Sequence, residues 1–262
     1  MNQVILLGRN ITSKGISYDP KKISTMINIP VPSTADKLMQ FLNAASFMRA
    51  SLPKFAVISY PLHQLLESVM KKTGKRTSRA NKKASISDLW NKECDDSFEK
   101  IKTLLASNLM LGFYKKDADT YVFGDASDIG YALLITQCDT STRKLLLIDR
   151  SHVPIGCWSG LFKGAEKRWD ISSREIYPFL IALSKYHHFL HRDEPFQIIT
   201  DNRNLKHILS PNGYNLMNNP LQRNRIYRWS LAFMAYRYEV HVISGDQNYF
   251  CDLISRWGQK EI

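Results

Sequence analysis

From residue 119 onward the apolar residues of this chain change their period, and that change limits the folds open to it. "TYVFGD", "YALLITQ", "KLLLID" and "VPIGCW" are four short apolar or alternating runs separated by turn residues, the pattern of an antiparallel meander. "DISSREIYPFLIALSKYHHFL" then turns helical. Ile176, Phe179, Leu180, Leu183, His187 and Leu190 fall on one face, with Ser172 or Ser173 as the cap. "FQIIT" is a strand running into Asp201, and "NRNLKHIL" is a short helix. "LQRNRIYRWSLAFMAY" is a longer helix with Arg223, Arg225 and Arg228 on or near one side. "YEVHVIS" is a last strand and "CDLISRW" a last short helix. This order predicts a mixed α/β domain with helices packed on a sheet.

The first part of the chain reads differently. In "TADKLMQFLNAASFMRASLP" the residues Leu38, Phe41, Leu42, Ala45 and Met48 recur at helical spacing, with Thr34 as cap and Pro53 as stop. "YPLHQLLESVM" and "SDLWNKECDDSFEKIKTLLAS" predict two more helices. Between them lies "KKTGKRTSRANKK" (71–83), with seven basic residues and no acidic one among Gly, Ser, Thr and Asn. It reads as a flexible linker and as a phosphate-binding arm without sequence preference. The expected organisation is therefore a helical region over 1–70, a basic linker over 71–88, and an α/β domain over 89–258. Within that domain, 89–118 is a leading helix and 119–258 the core.

Charge narrows the partners. Thirty-six Lys and Arg against 24 Asp and Glu leave a formal net charge of +12. A polyanion is favoured, nucleic acid first and an acidic membrane surface second. No stretch is long and apolar enough for a membrane span, and the N-terminal apolar run is too short for a signal peptide. Cys94, Cys138, Cys157 and Cys251 are widely spaced, which argues against a zinc site or a disulfide framework and fits a reducing compartment.

Four acids occupy comparable places at the ends of predicted elements. Asp125 ends the first strand, Glu175 lies in the first turn of the main helix directly after its cap, Asp201 ends "FQIIT" and Asp252 opens the last helix. Singly, each reads as a cap, a turn former or a solvated acid. Together they fit a shared cleft. Clustered carboxylates repel and raise one another's pKa unless a cation intervenes. The hard, oxygen-seeking cation is Mg²⁺, and two such ions suit in-line phosphoryl displacement. The small residues after Asp125 leave it accessible to metal and phosphate.

"DASDIG", "SSREIYPFLIAL", "FQIITDNRNLKHIL" and "YRWSLAFMAYRYEVHVISGDQNYFCDLISRW" closely resemble the RNase H domain of gypsy-type LTR-retrotransposon polyproteins. "LLGRNITSKGISYDPKKI" and "TADKLMQFLNAASFMRASLPKFAVISYPLHQLL" are similar to the segment after the polymerase palm in the same polyproteins, namely the palm edge, thumb and connection. The resemblance covers nearly the whole chain except the basic linker.

The resemblance implies an RNase H-like fold with a five-stranded mixed sheet and flanking helices, preceded by a small, mainly helical thumb/connection region. It places the metal-binding catalytic acids at Asp125, Glu175, Asp201 and Asp252, holding two Mg²⁺ ions or Mn²⁺. The implied activity is endonucleolytic hydrolysis of the RNA strand of RNA/DNA hybrids, leaving a 3′-hydroxyl and a 5′-phosphate. Ser127, Asn202 and Arg203, beside the acids, are the candidate substrate contacts. No "YxDD"-like stretch occurs, so the chain is expected to be a fragment without palm or integrase and without DNA synthesis of its own. The rest of a reverse transcriptase is a candidate partner. The alternative is a non-catalytic nucleic-acid-binding or scaffolding remnant. An intracellular location is expected, in cytoplasmic particles or the nucleus, without a membrane.

Two departures from the family pattern carry expectations. Ala132 and Leu133 stand where the family has glycine then alanine, and their bulk should crowd the second strand. Pro178 falls inside the helix that carries Glu175, where it should remove a backbone hydrogen bond, bend the helix and re-aim the acid.

Overall fold

A computed structural model describes residues 3–73, 84–210 and 212–243. The described residues divide into two compact units, one up to Met110 and one from Leu111 onward.

The first unit opens with a three-stranded antiparallel sheet, β1 (Val4–Leu6), β2 (Arg9–Ile11) and β3 (Ile16–Tyr18), which the sequence reading did not anticipate. Helices α1 (Pro20–Ile27), α2 (Ala35–Phe47), α3 (Phe55–Ile58), α4 (Tyr60–Thr73) and α5 (Lys92–Ser107) follow. Thr34 caps α2 as expected, its hydroxyl accepting from the Lys37 backbone N–H. Leu38, Phe41 and Leu42 of α2, Leu62, Leu65 and Val69 of α4, and Cys94, Phe98, Ile101 and Leu105 of α5 form one core. The Phe41 and Phe98 rings meet at 4.6 Å.

Two features of this unit differ from the expected organisation. The helix expected to lead the second domain, α5, buries its whole apolar face in the first. Its period fixes which residues face inward but not which core receives them. The expected linker 71–88 is also structured at both ends. Helix α4 runs to Thr73, Ser85 bridges to Thr34, and Ile86 is fully buried. The basic residues between, 74–83, lie outside the described residues.

The second unit is a five-stranded mixed sheet in the order β6-β5-β4-β7-β8. Strands β4 (Asp119–Ala126), β5 (Gly130–Cys138) and β6 (Val153–Leu161) are antiparallel, while β7 (Phe196–Thr200) and β8 (Tyr238–Val242) run parallel to β4. Every residue of β5 is buried. Helix α6 (Ile171–Lys185) sets Ile176, Phe179, Ala182 and Leu183 against Val122, Leu133 and Ile135 of the sheet. Then come the single turns α7 (His187–Leu190) and α8 (Leu205–Ile208), and helix α9 (Pro220–Phe233) before β8.

"KLLLID" is not a strand. It lies across two 3₁₀ turns, Thr140–Lys144 and Leu147–Asp149, so the meander has three strands instead of four. Asp139 caps the first turn by accepting from the Ser141 N–H at 2.9 Å, and Arg150 donates to the carbonyls of Leu145 and Arg143. Three successive leucines carry no alternation, and the structure leaves Leu146 73% exposed.

The expected crowding at Ala132 and Leu133 does not occur. Both are buried, Ala132 keeps its register with Asp125 and Ser159, and Leu133 packs into the core beneath α6. Pro178 is the eighth residue of α6, buried, and the helix continues past it to Lys185.

Candidate active site

Strand direction brings two of the predicted acids to the same end of the sheet. Strands β4 and β7 are parallel neighbours, with Phe123 opposite Ile199. Two residues further along each chain, Asp125 closes β4 and Asp201 follows β7 at the same level. Neighbouring strands lie about 4.8 Å apart. Asp125 is half-buried and faces the small Ala132 across the antiparallel pairing, whereas Asp201 is exposed.

Glu175 reaches the same end of the sheet from above. Gly124 makes this possible. A Cβ at that position would stand 2.6 Å from the Phe179 ring, so a side chain there would push α6 off the sheet. Phe179 lies one turn beyond Glu175 on the same helix face, and the close approach at Gly124 therefore brings Glu175 toward Asp125. Burial lifts the Glu175 carboxyl from its ordinary 4.5 to about 7, and the negative charges of Asp201 and then Asp125 add to the rise. Glu175 thus feels both aspartates, although the three residues come from separate parts of the chain.

Glu175 does not lie in the first turn of its helix, as the sequence suggested. The cap is Asp170, not Ser172 or Ser173, and Glu175 comes five residues later. Asp170 accepts from the Ser173 backbone N–H at 2.9 Å and from the Ser173 hydroxyl at 2.8 Å. It wins the position through partners from α9: Arg225 pairs with it at 2.7 Å and Gln222 donates to it at 2.7 Å. Arg225 also lies against the packed pair of Trp169 and Trp229, 5.0 and 5.9 Å from their ring centroids. The three arginines of α9 therefore do not form one array. Arg225 turns inward, Arg223 donates to the Met217 carbonyl, and Arg228 donates to the Asn224 carbonyl of its own helix.

Asp252 lies outside the described residues. Of the candidate substrate contacts, Ser127 staples the β4–β5 turn, its hydroxyl accepting from the N–H groups of Ile129 and Gly130 at 3.2 and 3.3 Å. The Asn202 carboxamide accepts from the Asn204 N–H at 2.9 Å, a local turn of the same kind. Arg203 is exposed beside Asp201. Gly124, Asp170 and Arg225 were not singled out as site residues. A glycine inside a strand pattern was the available signal for the first.

Among the described residues no group of three or more His, Cys, Asp or Glu side chains stands ready as a metal-ligand set. The donor chemistry at this end of the sheet is nonetheless wholly carboxylate oxygen, which fits a hard divalent cation and not a soft one. A cation held among Asp125, Glu175 and Asp201 would offset the repulsion that lifts Glu175.

Residues 115–236 match the family model described as the RNase H-like domain found in reverse transcriptase. That span includes Asp125, Glu175 and Asp201 and stops short of Asp252. Over 97% of its length the chain is 24% identical to the Transposon Tf2-3 and Tf2-4 polyproteins of Schizosaccharomyces pombe. It spans only 17% of those relatives. Among solved structures, the foamy viral protease–reverse transcriptase in complex with dsDNA superposes with a TM-score of 0.66 at 18% identity, covering 94% of this chain and 45% of that one. The same enzyme in complex with RNA/DNA hybrid gives 0.64 at 19% identity, covering 94% and 30%. At such identities the likeness is one of fold, and it agrees with the five-stranded mixed sheet. Residues 115–236 thus match the RNase H-like domain found in reverse transcriptase, within a chain that is similar to retrotransposon polyproteins over nearly its whole length.

Proposed function

We propose that this chain is the RNase H portion of a retroelement reverse transcriptase and hydrolyses the RNA strand of RNA/DNA hybrids. The observation that carries this reading is Glu175, raised to about 7 by burial and then by the negative charges of Asp201 and Asp125, at the sheet end where both aspartates lie. Phosphodiester cleavage has a use for such a group of acids. Asp125, Glu175 and Asp201, with Asp252 as the fourth ligand, would hold Mg²⁺ or Mn²⁺. Two such ions would supply an activated water and neutralise charge on the leaving oxygen.

The chain's own residues do the positioning. Gly124 admits Phe179, Phe179 fixes the depth of α6, and Asp170 with Arg225 fixes its N-terminal end. The exposure of Asp201 and Arg203 leaves room for a phosphate backbone beside the acids. Choice of RNA over DNA would come from contacts to 2′-hydroxyls across the wide minor groove. The reading places the protein inside the cell, in cytoplasmic particles or the nucleus, with the rest of a reverse transcriptase as partner. No helix among the described residues is long and apolar enough to cross a membrane.

The test is cleavage of an end-labelled RNA/DNA hybrid with Mg²⁺. Asp125→Asn and Asp201→Asn should each abolish it, and products should carry 3′-hydroxyl and 5′-phosphate ends. Cleavage that survives either substitution refutes the assignment. A second reading, hybrid binding without cleavage, is favoured by the lack of a ready metal-ligand set among the described residues. It predicts salt-sensitive binding that those two substitutions leave unchanged.

A further inference from the structure

Beyond the carboxylates, the second unit holds a cavity at the opposite end of its sheet. Strands β4, β7 and β8 are parallel, so the segments that enter them lie together. Those segments supply Tyr114 and Lys116 before β4, His191, Arg192 and Asp193 before β7, and Ala235 and Arg237 before β8. They line an open cavity of about 600 Å³. Three permanent cations, Lys116, Arg192 and Arg237, face one carboxylate, Asp193. The balance favours an anion.

The walls are held before any ligand arrives. Buried Gln137 grips the backbone between Tyr114 and Lys116, accepting from the Lys115 N–H and donating to the Lys115 carbonyl, both at 2.8 Å. Arg192 donates to the Lys116 and Ala118 carbonyls and to the Thr120 hydroxyl, tying the segment before β7 to the one before β4. Arg237 donates to the Asp193 carbonyl at 3.1 Å, joining the third segment. One face of the Tyr114 ring stacks on Phe189, with centroids 5.1 Å apart and planes at 6°, and Phe189 stacks in turn on Tyr186. Tyr114 is therefore a rigid aromatic platform at the wall of a basic cavity. Single-stranded nucleic acid asks for that combination, since any base stacks on an aromatic face while cations track the phosphates.

We propose that this cavity binds single-stranded nucleic acid without sequence preference, with a base on Tyr114 and adjoining phosphates on Lys116 and Arg237. Six residue steps along β4 lead from Asp119 to Asp125, which sets the cavity about 20 Å from the carboxylate end at roughly 3.3 Å per residue. A strand leaving the carboxylates could therefore be held at a second point. The proposal does not depend on the nuclease reading, because the probe is a DNA strand that an RNase H would not cut.

The experiment uses the full chain and a fluorescein-labelled oligothymidylate in which one base is 5-iodouracil. Ultraviolet cross-linking followed by peptide mapping should place an adduct on Tyr114. The exposed-site double variant Lys116→Ala/Arg237→Ala, with wild-type melting, should bind about tenfold more weakly, its salt dependence shallower by about 0.7 per lost phosphate contact. The charge-matched control Lys21→Ala/Lys22→Ala, in the first unit, should bind nearly as wild type. The proposal is overturned if adducts form elsewhere but not on Tyr114, if the cavity variant binds as wild type, or if the control weakens binding as much as the cavity variant.

Discussion

Gly124 and Glu175 show how single side chains set the geometry of the carboxylate end. At Gly124 the absence of a Cβ decides how closely α6 approaches the sheet. Gly124→Ala brings a methyl group to 2.6 Å of the Phe179 ring, and the ring sits in a packed core with little room to yield. A stability loss of about 1–3 kcal/mol is expected by chemical denaturation. Under the proposed function, hybrid cleavage should also fall, since Glu175 moves with the helix. At Glu175 the folded carboxyl titrates near 7 against an ordinary 4.5, so between these values the folded state holds a proton that the unfolded chain has released. In metal-free protein, stability should therefore fall as pH rises through that window and stay at the lower level above it. Glu175→Gln should remove the slope and raise the melting temperature at pH 8. A variant that keeps the wild-type slope would show that another group causes it. The four acids were picked out in the sequence by their places near the ends of predicted elements, and Asp252 lies outside the described residues. The need for glycine at 124 was not legible, because Phe179 lies 55 residues away and only packing brings the two together.

Helix α6 carries Glu175, and its start is decided by another helix. Within "DISS" three residues suit an N-cap, and local preference does not choose among them. Arg225 and Gln222 of α9 choose Asp170 by bonding to its carboxylate. Asp170→Ala should cost about 1 kcal/mol for the cap alone. It also leaves Arg225, against two tryptophan rings, without its charged partner. A double-mutant cycle of Asp170→Ala with Arg225→Ala, read by thermal or urea unfolding, should give a coupling above about 0.5 kcal/mol. Additivity would mean that the pair does not fasten α9 to the start of α6. The same limit on local reading explains "KLLLID". Its composition suits a buried strand, yet Arg150 and the Asp139 cap hold it in tight turns at the surface.

For the whole molecule, the division of the chain falls after α5 and not before it. Phe98, Ile101 and Leu105 are fully buried among residues of α2 and α4, so a first unit cut at residue 88 would lose a wall of its core. A fragment of residues 1–110 should unfold cooperatively by circular dichroism, while one of residues 1–88 should not. Phe98→Ala should destabilise the first unit by about 3–5 kcal/mol. Equal cooperativity of the two fragments would contradict this boundary. What the amino-acid order determined alone was local: the periods that separate helices from strands, the turn residues between them, the net charge, and the acids at element ends. These follow from contacts within a few residues, and they sufficed to anticipate a mixed α/β domain with helices on a sheet; the RNase H-like fold came from the resemblance of its motifs to a known family. Tertiary structure alone decided which core received α5, which residue capped α6, where a missing Cβ was required, and how three parallel strands gather a basic cavity at their starts. Each of those outcomes depends on residues far apart in the chain sharing one volume, and no local period encodes that.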